Sequence, residues 1–221
     1  MLDNKRQLVA PKAMRDIPLL LMTATITAYW LGVGVMVARV RRKTHRIVGL
    51  VPEQRVERFM WLIWVPLVAA WIALPYLALT KTGEPWALPA FATREPAFVL
   101  LRWTAALVAV LCLASTAKCW ARMGKDWRMD VGVTTKSELI TDGPFKRIRH
   151  PIYAFSILLM LCSATIVPTV PMLAIAAVHV ALMNLKARNE ERHLLASHGD
   201  AYERYVRRTG RFLPRSGAPR S

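Results

Sequence analysis

Long apolar runs held apart by blocks of positive charge constrain this chain more than any other feature. The first run, residues 17–38, is long enough at 1.5 Å per helical residue to cross a hydrocarbon core of about 30 Å. Two more follow at 59–79 and 97–120. A fourth apolar region, 152–185, is broken by Pro168-Thr169-Val170-Pro171. Two prolines three apart suit a tight turn, so this region reads as two helices in an antiparallel hairpin, the first of them short. Pro66 and Pro75 fall inside the second run, where neighbouring helices can satisfy the carbonyls they free. The expected fold is an all-α integral membrane protein with about five transmembrane helices, a C-terminal helical hairpin and cytoplasmic tail helices.

The charge pattern supports the same class. Lys and Arg number 31 against 14 Asp and Glu, a formal net charge of +17. A chain this basic could bind nucleic acid, but its cations flank segments of bilayer length, so no nucleic acid partner is expected. They instead hold loops in the cytoplasm and meet the headgroups of membrane lipids. With five spans, 23 basic residues fall on one side and six on the other. The positive-inside rule then puts the amino terminus outside and the carboxyl terminus in the cytoplasm, in a bacterial-type inner membrane. Lys5, Arg6, Lys12 and Arg15 pull mildly the other way. They also raise the idea of a signal peptide, which the length of the first run and the lack of a small-x-small cleavage site oppose.

Several residues carry local expectations. Arg102 and Lys118 lie near the ends of the third run, where their heads can snorkel to opposite interfaces. Trp86 and Phe91 suit interfacial anchors. Val51 to Arg58 suits a short interfacial helix opened by Pro52. Gly32-Val33-Gly34 resembles half a dinucleotide loop, but inside an apolar run helix packing explains it better. His179 is expected to hydrogen-bond a neighbouring helix. Tyr202 and Tyr205 share a helical face suited to packing the tail. Cys112, Cys119 and Cys162, an odd number without a CxxC pair, read as small apolar residues; neither a disulfide framework nor a metal site is expected.

The polar segments hold the candidate chemistry. One runs Gly143-Pro144-Phe145-Lys146-Arg147-Ile148-Arg149-His150-Pro151-Ile152-Tyr153, into the start of an apolar helix. The other, after the last apolar run, contains Arg188-Asn189-Glu190-Glu191-Arg192-His193-Leu194-Leu195, then Gly199, Tyr202 and Tyr205, and closes on Arg211-Phe212-Leu213-Pro214. Gly143, Phe145, Arg149, His150, Pro151 and Tyr153 fill the pattern G-x-[FY]-x-x-x-R-H-P-x-Y. A hairpin, an E-E-x-x-L and a G-x-x-Y-x-x-Y follow in order. This combination resembles the isoprenylcysteine carboxyl methyltransferase family, small membrane methyltransferases related to the phospholipid methyltransferases, over about residues 118–214.

The resemblance implies S-adenosylmethionine as cofactor, in a cytoplasmic pocket capped by the tail helices. It implies cofactor contacts from Gly143, Phe145, Arg149, His150, Pro151, Tyr153, Glu190 and Glu191. Carboxylates and aromatic faces suit a sulfonium, and Arg or His suits a carboxylate. Arg149 and Glu190 would orient or deprotonate the acceptor. The chain then divides into an acceptor-side membrane region, 1–117, a catalytic region, 118–214, and a disordered tail, 215–221. The acceptor would be a lipophilic small molecule or lipid, methylated on a carboxylate, thiol or amine; oligomeric state is unspecified. Two other readings stand beside this one: an NADPH-dependent membrane reductase of the sterol reductase type, using Lys146, Arg147 and Arg149 for phosphates, and a non-enzymatic membrane scaffold.

Overall fold

The computed structural model describes residues 16–44, 55–81, 83–124 and 139–215. Its helices are α1 (Ile17–Thr44), α2 (Arg55–Thr80), α3 (Ala90–Arg94), α4 (Pro96–Met123), α5 (Pro151–Ile166), α6 (Val170–His198) and α7 (Asp200–Arg208), with a 3-10 turn at Gly143–Lys146 before α5. Four of them, α1, α2, α4 and α6, are long and apolar enough to cross a membrane; α5, also apolar, has 16 residues. Large side chains such as Leu31, Leu62, Leu100 and Leu107 face outward. In water so many would be a liability; against lipid they cost nothing. The molecule is an integral membrane protein built of helices.

Proline marks the helix starts: Pro96 and Pro151 sit in the first turns of α4 and α5, where a missing N–H breaks no intrahelical bond. Pro66 and Pro75 lie inside α2, as the sequence indicates. Residues 167–169 join α5 to α6, with Pro171 in the first turn of α6, and α5 packs broadly against α4 as well as α6. That double packing supports a helix too short to span easily alone.

The helices are joined by buried polar contacts as well as apolar ones. Trp71 Nε1 on α2 donates to Ser163 Oγ on α5 at 2.9 Å. His179 on α6 lies 3.1 Å from Ser156 Oγ through Nε2 and 5.0 Å, ring to ring, from Trp71, meeting the expectation of a cross-helix bond. Gly32 lets α1 touch α4: a Cβ there would stand 2.5 Å from the Trp120 ring, whereas one at Gly34 would meet nothing within 4 Å. The glycine pair is a packing feature and only its first member is spatially required.

Two expectations need correction. Arg102 does not snorkel: it is 3% exposed and bridges Asp16 at 2.7 Å, with further bonds to the carbonyls of Ile166 and Ala92. Its head turns inward because the starts of α1 and α4, the end of α5 and α3 converge on it. Arg55 to Arg58 belong to the first turn of α2 rather than to a separate interfacial helix. Val51 to Gln54 lie outside the described residues, as do Lys5, Arg6, Lys12, Arg15, Arg46, Lys125, Arg128 and Lys136 of the charge count and the tail from Ser216. Trp86 packs against the core, and Phe91 is exposed and stacks edge-on to Phe98 at 4.9 Å.

Candidate functional site

The first polar segment is folded by its neighbours in space rather than by its own helix content. Gly143, at φ 55°, opens the 3-10 turn in the left-handed region that suits glycine. The turn carries Phe145 inward, and the Tyr205 hydroxyl of α7 donates to the Phe145 carbonyl at 2.7 Å. Arg122, near the end of α4, clasps Asp142 through two bonds of 2.8 and 2.7 Å, an exposed pair of small energetic weight.

The tail then lies beside the segment as a two-residue parallel pairing. Arg149 N donates to the Gly210 carbonyl at 2.9 Å, His150 N to that of Arg211 at 3.1 Å, and Gly210 N to that of Arg147 at 3.1 Å. Any side chain at Gly210 would run into the Leu213 carbonyl. Residues of the tail thus fix the backbone that presents Arg149 and His150.

Side chains lock the same junction. Glu191 meets Arg149 Nε at 3.0 Å and Arg211 Nε at 3.0 Å, a carboxylate shared by two guanidiniums. Arg149 also donates through Nη1 to the Thr209 and Val206 carbonyls. His150, buried, sits between the paired acids, with Nδ1 3.4 Å from Glu190 and Nε2 3.4 Å from Glu191. The second contact is a proximity of charges, because among the described residues Nε2 has no bonding partner of proper geometry. Burial pushes the imidazole's pKa down, but the two acids close on either side of it, Glu190 and Glu191, outweigh it and hold the value above the usual one. Burial raises the Tyr205 phenol to about 12. The Tyr153 ring lies parallel to His150 at 5.4 Å, and Phe212 meets the imidazole edge-on at 6.3 Å.

A cavity of about 140 Å³ opens behind this junction, bounded by α1, α2, α4, α5 and α6. A single water needs about a tenth of that, so the space is several waters in size, below the roughly 300–1,000 Å³ of a typical ligand cleft. Phe145, Arg149, His150, Pro151, Tyr153 and Glu190 all line it. Gly143 and Glu191 do not. Gly143 serves the turn, and Glu191, next to Glu190 and about 100° around the helix, faces a separate surface cleft with Tyr202 and Arg211. The two adjacent acids therefore divide into an inner and an outer one.

Residues that sequence reasoning left aside complete the wall. Tyr29 and Trp30 come from α1, Trp61 and Trp64 from α2, Trp120 from α4, and Lys186 from α6. Glu57, at the head of α2, is 1% exposed and accepts a bond from Asn189 Nδ2 at 3.2 Å. Its signal was the apolar run beginning two residues later; the alternating charges around it look like a solvated face. Gly210 and Arg211 carried no signal beyond their closeness to the terminal Phe212-Leu213-Pro214.

The fold and this cavity define a membrane protein whose helices enclose a polar-ended, aromatic-walled site beneath a docked tail. Residues 103–196 match the Isoprenylcysteine carboxyl methyltransferase (ICMT) family. The chain is also similar to the nickel-cobalt-cadmium resistance protein NccN of Alcaligenes xylosoxydans xylosoxydans, 31% identical over 119 residues, covering 53% of this chain and 54% of the relative. It is 29% identical over 117 residues to the cobalt-zinc-cadmium resistance protein CzcN of Cupriavidus metallidurans, covering 52% and 54%. The chain thus spans about half the length of the curated relatives it matches.

Proposed function

We propose that this protein transfers a methyl group from S-adenosylmethionine to a lipophilic acceptor that reaches the cavity from the bilayer. The observation that carries the reading is the meeting of Phe145, His150 and Tyr153 with Glu190 in one cavity, across the α5–α6 hairpin. The residues present suit the cofactor: the inner carboxylate and the Tyr153 ring suit a cation, and the His150 imidazole and Arg149, which also line the cavity, suit a carboxylate or hydroxyl oxygen. Bound S-adenosylmethionine supplies an electrophilic methyl carbon, so no nucleophile from the protein is needed.

The protein's share is then alignment and the exclusion of water. Glu190, set by His150, faces the reacting centre and orients the acceptor. Arg149, tied to Glu191 and the tail, is a positioning residue that holds the loop. In this reading residues 1–117 shape the acceptor side, residues 118–214 the cofactor side, and the junction faces the cytoplasm as the charge asymmetry favours. The reductase reading has less support: Lys146 and Arg147 do not line the cavity, and much of the Arg149 guanidinium is engaged elsewhere. The metal-resistance names of the two relatives supply a setting, growth under metal stress, in which to look for a phenotype.

Calorimetry on the purified protein tests this. S-adenosylhomocysteine should bind and NADPH should not, and Glu190→Gln and His150→Ala should each weaken that binding by about tenfold, the loss of one charge-assisted contact. Wild-type affinity in both variants removes the site assignment.

A further inference from the structure

Glu57 lies outside the family-matched segment, on a helix of the other half of the chain, yet its carboxylate is among the most deeply buried groups of the molecule. It lines the same cavity as Glu190 and is tied to that residue's neighbour, Asn189, by the 3.2 Å bond. Several aromatic rings line the same cavity and meet one another at steep angles. Tyr29 and Trp30 are 5.3 Å apart at 80°, Trp30 and Trp64 5.3 Å apart at 67°, and Trp120 stands 5.5 Å from Tyr29. Tyr29, Trp30, Trp64 and Trp120 thus form one connected aromatic cluster on the cavity wall.

The lining also holds Glu190, Arg149, His150 and Lys186. The Arg149 guanidinium is tied to Glu191 and the Thr209 carbonyl, so Glu57 and the neighbouring rings are the part of the wall that favours a cation. The ring quadrupoles and the acid attract positive charge together, and both repel an anion. In the low dielectric of such a site, each is stronger than it would be in water.

We propose that Glu57 and this aromatic wall form a binding site for an onium centre, a positively charged sulfur or nitrogen carrying alkyl groups. The assignment rests on the methyltransferase reading where the onium is the donor's sulfonium; where it is the ammonium of a lipophilic amine acceptor, it stands on the wall alone. In both cases α2 supplies the group that reads positive charge at the reacting end of the cavity.

The test uses the full-length protein in a non-ionic detergent, with two pairs of probes. Sinefungin carries an amine where the donor has its sulfonium methyl, and S-adenosylhomocysteine is neutral there. Dodecylamine and dodecanol form the second pair, titrated with S-adenosylhomocysteine present and absent and read by tryptophan fluorescence. The wild type should prefer the charged member of at least one pair by about tenfold, the size of a desolvated cation–π contact with a nearby carboxylate. Glu57→Gln, which keeps the oxygen that Asn189 needs, should erase that preference while changing S-adenosylhomocysteine affinity less than about twofold. Trp64→Leu should reduce the same preference without touching Glu57.

A preference for sinefungin alone identifies the donor as the source of the charge, and one for dodecylamine alone the acceptor. No preference in either pair, or a preference that survives both substitutions, overturns the proposal. Should the wild type bind neither S-adenosylhomocysteine nor sinefungin, the methyltransferase reading fails, and the amine titration still decides the onium site.

Discussion

At the scale of residues, the junction of loop and tail depends on who shares a charge with whom. Glu191 holds two arginines and His150 lies between two acids, so charge at this point stabilises the docked tail. The imidazole's pKa is raised in the folded state. A group of that kind contributes stability in full below its unfolded value, about 6.5, and loses it as pH rises through the higher folded value. The thermal midpoint of the wild type should therefore fall, relative to that of His150→Gln, as pH is raised from about 6.5 upward. A constant difference between the two across that range would mean that folding leaves the pKa of His150 unshifted.

At the scale of elements, helix contact is set by what one face leaves out. Gly32 admits the Trp120 ring and Gly34 admits nothing, although the sequence presents them as a matched pair. Gly32→Leu should push α1 off α4 and cost about 1–3 kcal/mol, the usual range for overpacking. Gly34→Leu should leave the melting midpoint in detergent unchanged, and equal effects of the two would rule out the close contact. The difference between them shows what local pattern can and cannot supply. Apolar runs and prolines delimit α1, α2, α4 and the α5–α6 hairpin because solvent preference and backbone geometry act residue by residue. Which glycine meets an indole on a helix far along the chain is a property of packing. The same divide separates His150 and Glu190, legible through a motif, from Glu57, whose recorded partner is 132 residues away.

At the scale of the whole molecule, the end of the bundle opposite the cavity is gathered at one buried cation. Arg102 takes the carboxylate of Asp16 and two carbonyls, from Ile166 and Ala92. Hydropathy alone read it as an interfacial residue, since the partner that draws it inward is 86 positions distant. Arg102→Leu should destabilise the protein by about 3–5 kcal/mol, because it strands a shielded acid and two acceptors. Pairing it with Asp16→Asn should restore part of the loss, read as a partial recovery of the melting midpoint; a double variant no better than the single would show that the pair is not coupled.

The short backbone pairing of Arg147 and Arg149 with Gly210 also says something about the order of events during biosynthesis. Chains emerge amino end first, so the helices can insert and pack while this strand-like partner is still inside the ribosome. The loop before α5 must wait for it. Assembly of the membrane body and completion of the chemistry-bearing end are thus separate events in time, and translation itself imposes the interval between them.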